Sequence, residues 1–526
     1  MQSPTSSMST IALWLLILFT GAALSACVDS TTALDEDENN NGDDTNDGRD
    51  VEIIPMEDRA LETWNFIDED GRVIIPRGVN YSNVSKGVTG LPALSDDETE
   101  ADAEHFHELG FNVIRYLIQW KNIEPEQGEY DDDYLAAVEK RLDILHDKGI
   151  RVILDMHQDV YGPKFGYNGA ADWAVFDDGI EYTQGGGTWS ANYGKAAVQR
   201  AFDNFFNYDK HPVLQDAYTD MWKYTVEHFK DHPAVLGYDI MNEPHPGTRF
   251  DPNDMLFDSD KSRSVRFDKE RLGPFYQRVI DGIREVDNDG WILYEPRYGA
   301  PGDGGKQYLD PLDDPRDGER RLFGAPHLYA FAVEVSKDYN NAAREKVSKW
   351  GVEREIERDE WYAGVYLGEF GTYTDVNGYD EYMNDVVRIT EELRIGFAAW
   401  AWDPWEFGML DGERDEDTLR FPEGPFIDYL SRPYPRAFAG TPIAFSFDPE
   451  ERVLTVEWEV DHSIDAPTEI FTSRQRWFDE GWELEISPAE GVSYEIVDEN
   501  EITEHVLVTV DDEAVETVEL TFRVAE

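Results

Sequence analysis

Cysteine is nearly absent: Cys27 is the one thiol in 526 residues. That excludes an intramolecular disulfide and any metal site built on a cysteine cluster. Positive charge is scarce as well, with 46 Lys and Arg against 111 Asp and Glu and a formal net charge of −65. Phosphate recognition needs clustered cations, so nucleic-acid binding is excluded, and electrostatic docking to anionic lipid is disfavoured. There is no GxGxxG fingerprint and no Walker A loop to support a nucleotide-binding open sheet. The apolar run Ile11–Leu24 is too short for a comfortable membrane span and has the length of a signal h-region. Hydrophobic residues still make up 40% of the chain and aromatics 13%, so it is not globally disordered.

The apolar run ends in Leu24-Ser25-Ala26-Cys27, which resembles a bacterial lipobox. That resemblance implies a lipoprotein signal segment over residues 1–27, cut before Cys27, which is lipidated as the new N-terminus and attached to the cell envelope. Val28 at the next position points to the outer membrane; an ordinary secreted protein is the alternative. Met1–Thr10 depart from the pattern in carrying no Lys or Arg. Residues 28–58 hold twelve acids and one arginine with little apolar content. Such a segment cannot bury enough surface to offset its ordering entropy and is expected to be a flexible tether.

From Trp64 to Tyr434 short β-rich runs alternate with amphipathic stretches. Expected strands are Val73–Asn80, Asn112–Leu117, Arg151–Met156, Val235–Met241, Trp291–Tyr294, Leu322–His327, Ala363–Leu367 and Phe397–Trp402. Helical segments such as Asp131–Lys148, Pro212–Lys230, Leu272–Val286 and Tyr379–Leu393 lie between them. Near-continuous apolar strands separated by helices indicate a parallel sheet covered on its outside. Eight of them make an α/β fold, a (β/α)8 TIM barrel over residues 59–435. After Arg432-Pro433-Tyr434-Pro435 the pattern changes to short alternating runs, as in Val453–Trp458, with no lysine from Pro442 onward. Residues 436–526 are therefore expected to form a small C-terminal β-sandwich. Its Trp458, Trp477 and Trp482 suit core packing or docking better than a carbohydrate-binding platform.

Barrel chemistry sits at the C-terminal ends of strands. Those ends carry Arg115, the run Asp155-Met156-His157-Gln158-Asp159, Asn242-Glu243-Pro244, His327-Leu328-Tyr329, Glu369 and Trp400. Two carboxylates on different strands, among hydrogen-bonding and aromatic groups, suit glycosidic bond cleavage: one protonates the leaving oxygen while the other attacks. Glu295, in Tyr294-Glu295-Pro296, is a further acid at a strand end and is left outside the expected site. Trp173 and Trp189, in the Gly-rich insertion after the third strand, are left outside it too.

Asn242-Glu243-Pro244 and Glu369, with Arg115, His157, His327-x-Tyr329 and Trp400 in order, resemble glycoside hydrolase family 5, whose members are retaining (β/α)8 glycosidases. Ile153–Tyr161 (ILDMHQDVY), Asn80–Lys86 (NYSNVSK) and the stretch from Arg432 to Ile470 resemble its endoglycoceramidase branch. The resemblance covers Trp64 to the C-terminus. It implies Glu243 as general acid/base and Glu369 as nucleophile, with Arg115 beside Glu369. Asn242 matches the residue that bonds the sugar 2-OH. Lys86, His157, Asp159, Tyr329 and Trp400 match sugar-contacting positions. His327 is expected to orient one of the two glutamates.

The implied activity is cleavage between the oligosaccharide and the ceramide of glycosphingolipids by a monomeric enzyme needing no metal and no cofactor. Phe331, Trp405, Phe407 and Met409 are candidates for a lipid channel, with core or rim packing the alternative for each. The competing readings are the same chemistry on a steryl glucoside or soluble β-glucan, and a non-catalytic glycan-binding lipoprotein.

Overall fold

The computed structural model describes residues 64–525 except 187, 251–262, 300–303, 405–406 and 499–502, and leaves the side chains of 331, 332 and 334 undescribed. The described residues all belong to one compact unit, Ile53–Glu526. The leader, Cys27, the whole tether and Trp405 lie outside them, as does the Phe331 side chain.

The chain enters through a hairpin, β1 (Phe66–Ile67) and β2 (Val73–Ile74), before the first barrel strand, β3 (Arg77–Tyr81). The barrel continues with β4 (Val113–Ile118), β5 (Arg151–Met156), β6 (Val235–Asp239) and β7 (Trp291–Tyr294). Its last three positions are β8 (Leu322–Gly324) with β9 (His327–Leu328), β10 (Gly364–Val365) with β11 (Glu369–Phe370), and β12 (Phe397–Ala399). All pairings are parallel, in the order β10-β8-β7-β6-β5-β4-β3-β12. Leu367 closes the ring by bridging to Phe397, with Ala398 N–H donating to Leu367 O at 2.9 Å. Strands covered on both faces explain why VIRYLI of β4 and VILDM of β5 are wholly buried. Each such aliphatic contributes about 1.5–3 kcal/mol on burial. At Gly78 a Cβ would stand 1.7 Å from Val113 O, so only glycine lets β3 approach β4.

The outer helices carry the expected start signals. Ser95 accepts from Glu98 N–H at 3.2 Å, Asp131 caps Asp132–His146, Asn340 caps Asn341–Trp361, and Pro212 opens Pro212–Phe229. Among the described helices none is long and apolar enough to cross a membrane.

The remaining strands, β13 (Tyr434–Phe438), β14 (Gly440–Asp448), β15 (Val453–Val460), β16 (Thr468–Phe471), β17 (Trp482–Ser487), β18 (Val492–Asp498), β19 (Glu504–Val510) and β20 (Thr517–Val524), form two antiparallel sheets. Their orders are β14-β15-β20-β17 and β1-β2-β13-β16-β19-β18. The expected strand Val73–Asn80 is thus two strands in two different sheets. Pro76 separates them: it has no N–H to continue a ladder, and its carbonyl instead accepts from Phe397 N–H at 2.8 Å. β13 likewise runs across the expected boundary at 435/436, so the sandwich takes strands from both sides of the barrel sequence.

Trp458 is in the sandwich core, Trp477 packs on Phe447 and donates to Ser431 O, and the Trp482 indole N–H is held by Glu504. The seam with the barrel is polar and specific. Arg77 pairs with Glu391 at 3.1 Å, Glu391 accepts from Phe447 N–H, and the Tyr434 hydroxyl donates to Gly110 O at 2.7 Å.

Candidate active site

β4 lifts Arg115 into the barrel axis, where its side chain is completely buried. The guanidinium reaches four carboxylates from four other barrel positions: Asp155 at 2.9 Å, Asp239 at 3.0 Å, Glu295 at 2.7 Å and Glu369 at 2.9 Å. It also donates to Asn80 Oδ1 and Asn242 Oδ1. Asp155 and Asp239 face one another in register on β5 and β6, which is why two apolar strands each carry one acid. An arginine fork suits this task because its N–H groups are planar and always charged. Burial opposes the charge, but the acids outweigh it and hold the guanidinium protonated. Arg115 thus stands beside Glu369 and behind the cleft, where it positions the acids rather than lining the cavity.

Glu243 and Glu369 stand above this hub. One oxygen of each, with a ring nitrogen of His327, lie within 4.8 Å of one another. Tyr329 donates to Glu369 Oε2 at 2.9 Å. His327 Nδ1 is 3.1 Å from Glu243 Oε1 and 3.5 Å from Glu369 Oε2, so it serves both glutamates rather than one. Glu243 has φ 42°, a left-handed backbone that costs a β-carbon-bearing residue on the order of 1 kcal/mol or more. The fold holds it there. Its N–H donates to Glu295 Oε2 at 2.7 Å, and Gln158 Nε2 donates to the carbonyls of Asn242 and Glu243 at 2.9 and 3.0 Å.

A cleft of about 520 Å³ opens over these groups. On one wall His157 stacks on Trp400 with ring centres 5.3 Å apart, and Lys86 lies 4.2 Å from the centre of the same indole. Lys86 also pairs with Asp159 at 2.7 Å, and Asn168 donates to the same carboxylate oxygen. Trp189, Tyr298, Tyr373 and Phe407 give the cleft its aromatic surfaces. Of the channel candidates among the described residues, Phe407 lines the cleft, whereas Met409 takes the core alternative and is buried in the barrel. Trp173 also belongs to the core wall, edge-on to Trp120 and bonded to Glu124 O.

The electrostatics follow from burial and neighbours. Burial raises the Glu295 carboxyl, with Asp239 adding to the rise, while His327 and Arg115 pull it back and favour the carboxylate, whose two oxygens both face donors. Burial also raises Asp239, to about 6, against the pull of Arg115. For His327, burial alone would favour the neutral ring. Glu295, Glu369 and Glu243 outweigh it and raise its pKa well above the usual imidazole range. Asp159 is buried too, yet Lys86 and His157 hold it far below the usual carboxylate range. Glu243, His327 and Glu369, and separately Asp155, Asp239 and Glu295, stand close enough to share an ion. The second trio is already bonded to the Arg115 guanidinium, which supplies its positive charge.

All the expected cleft residues, Lys86, His157, Asp159, Asn242, Glu243, His327, Tyr329, Glu369 and Trp400, line one cavity. Glu295 lines it as well, a correction to its omission. Its signal was present: an acid following the apolar WILY of β7 at a strand end. Asn168 and Trp189, from the insertion after β5, carry no comparable sequence signal, because loop packing alone brings them to the cleft.

The family model described as Cellulase (glycosyl hydrolase family 5) matches residues 68–406, and that of the Glycoside hydrolase family 5 C-terminal domain matches residues 432–521. An endoglycoceramidase of Hydra vulgaris is 26% identical over 466 residues, covering 81% of this chain and 82% of the relative. Endoglycoceramidase I of Rhodococcus hoagii is 24% identical over 427 residues, covering 80% of each. The solved structure of endo-glycoceramidase II from Rhodococcus sp. with ganglioside GM3 superposes with a TM-score of 0.76 at 31% identity, covering 88% of this chain and 99% of that one.

Proposed function

The chain belongs to glycoside hydrolase family 5, and on that premise we propose that it is a retaining glycosidase releasing the oligosaccharide from the ceramide of glycosphingolipids. The observation that carries the chemistry is the close pair Glu243 and Glu369 around His327, with oxygens within 4.8 Å. Carboxyls about 5 Å apart leave no room for an intervening water, so one must attack the sugar directly; inverting pairs stand about 6.5–9.5 Å apart.

In the first step Glu243 gives its proton to the glycosidic oxygen while a Glu369 oxygen bonds to the anomeric carbon. The carbon–oxygen bond to ceramide breaks, and ceramide leaves as its alcohol. Glu243 is now a carboxylate and Glu369 a glycosyl ester. In the second step Glu243 takes a proton from water as the water oxygen bonds to the anomeric carbon. The ester bond breaks, which restores Glu369 as carboxylate and Glu243 as acid. Two inversions retain the anomeric configuration. Asn242, turned by Gln158 and Arg115, is placed for the 2-OH, and Lys86, Asp159, His157 and Trp400 form the glycan wall. Trp189, Tyr373 and Phe407 offer the apolar half.

The substrate class is supported by the endoglycoceramidase relatives, one of them solved with a ganglioside. The test is incubation with lactosylceramide beside cello-oligosaccharides. Free ceramide and lactose of retained β-configuration are expected. Release of sugar from cello-oligosaccharides alone would move the assignment to a β-glucanase. The same proposal places the enzyme at the cell envelope, held by lipid on Cys27 of the Leu24–Cys27 motif. Labelling with radioactive palmitate should mark the wild type and not Cys27→Ser.

A further inference from the structure

The geometry points to Glu295 as a positioning residue that keeps His327 charged, so that one imidazolium serves Glu243 and Glu369 in turn. This rests on the roles assigned to those two glutamates above.

His327 sits among three carboxylates with two ring nitrogens. Nδ1 faces Glu243 Oε1 at 3.1 Å and Glu369 Oε2 at 3.5 Å, while Nε2 faces Glu295 Oε1 at 3.3 Å. A neutral imidazole has one N–H and would turn a bare lone pair toward an acid on one side or the other. The imidazolium donates at both edges. In the double displacement the negative charge leaves Glu369 as the ester forms and arrives on Glu243 as its proton departs. Nδ1–H lies between the two and needs no movement to follow that charge. Its own charge must then be balanced by a group that does not change during the reaction. Glu295 meets that requirement: it is 1% exposed and tied to the scaffold through both carboxylate oxygens, which leaves neither free to attack. Oε1 accepts from Arg115 at 2.7 Å, Oε2 accepts from Glu243 N–H at 2.7 Å, and its carbonyl accepts from the Tyr276 hydroxyl at 2.6 Å.

The other charged or titratable groups facing the dyad are Arg115 from β4, Asp155 from β5, Asp239 from β6, Tyr218 and Tyr276 from the outer helices, and the two catalytic candidates. Arg115 opposes a proton here, and the acids favour one. The raised affinity of His327 for its proton, for which Glu295 is the largest favourable neighbour, agrees with this arrangement.

The experiment follows the His327 ring by NMR in the full, substrate-free protein carrying 13Cε1-labelled histidine, the signal being identified by its loss in His327→Asn. Wild type, Glu295→Gln and Glu295→Asp are titrated. Removing one close counter-charge should lower the His327 midpoint by about one pH unit or more in Glu295→Gln. Glu295→Asp, which keeps the charge, should stay near wild type. In parallel, the alkaline limb of kcat/KM on an aryl β-lactoside should move to lower pH in Glu295→Gln and not in Glu295→Asp. An unmoved His327 midpoint in Glu295→Gln, or a lowered rate with an unmoved limb, would show that Glu295 only holds backbone and would overturn the inference. Failure of the wild type to release ceramide would count against the proposed substrate and leave the titration result standing.

Discussion

Arg77, at the start of β3, and Arg115, in β4, are both 0% exposed, yet their surroundings differ in kind. Arg77 meets one carboxylate, Glu391, and is otherwise wrapped by the rings of Phe397, Tyr434 and Phe445, the nearest 4.5 Å away. Arg115 meets four carboxylates and two asparagines. At Arg77 one cation meets one acid and the surplus interaction is aromatic, which is an arrangement for adhesion. Above β4 the acids outnumber the cations, so protons must be held and shared, which is an arrangement for chemistry. Buried charge by itself identifies neither; the ratio of acids to bases does.

The largest break in that comparison comes from the acids of the cleft. Glu243→Gln should lower kcat by roughly 10²–10⁴-fold, and Glu369→Gln by at least as much, while the thermal midpoint stays close to wild type. Next come the two arginines. Arg77→Met leaves Glu391 buried without its partner and should cost about 3–5 kcal/mol of stability, read by urea denaturation, with kcat of the folded fraction unchanged. Arg115→Lys should do the reverse: it keeps the charge but loses the fork, and a displaced carboxylate should cost roughly 10²-fold in kcat/KM. If both variants lost stability and activity alike, the division into seam and site would fail.

The two regions should also respond to pH with opposite sign. At the seam burial would raise Glu423, but His105 and Arg476 hold it down to about 2. Glu469 is likewise held low by Arg436 and His505 against its burial. Groups depressed in the folded state contribute stability above their ordinary range near pH 4.5 and lose it as pH falls through the folded value. At the Arg115 hub Asp239 is raised, to about 6, so its contribution is full below the ordinary carboxylate range and is lost as pH rises through that value. Thermal midpoints between acid and alkaline pH should therefore fall at both ends. Glu423→Gln should flatten the acid side and Asp239→Asn the alkaline side. The smallest expected effect is Tyr329→Phe, which removes one hydrogen bond to Glu369 and should lower kcat roughly tenfold without moving the stability curve.

Much of this molecule could be read along the chain. Strand runs such as Arg151–Met156 and Trp291–Tyr294 coincide with the observed elements because a strand buried on both faces must be apolar throughout. Glu243 and Glu369 were legible because a strand end followed by a polar motif marks the reactive face of a barrel. What escaped has a common cause. Val73–Ile74 and Arg77–Tyr81 look like one strand, and only the partners each finds, β13 for one and β4 and β12 for the other, put them in different sheets. Asn168 and Trp189 reach the cleft through an irregular loop that has no periodicity to read.

Composition, strand pattern and the two glutamate motifs thus determined the class of fold and the type of reaction, since burial and bond chemistry restrict which residues can stand where. The tertiary structure decided the rest: that Arg115 works from behind the cleft, that Glu295 belongs to it, and that His327 stands between both glutamates. These are relations among strands far apart in sequence, and a charge buried among others takes its meaning from neighbours that only folding supplies.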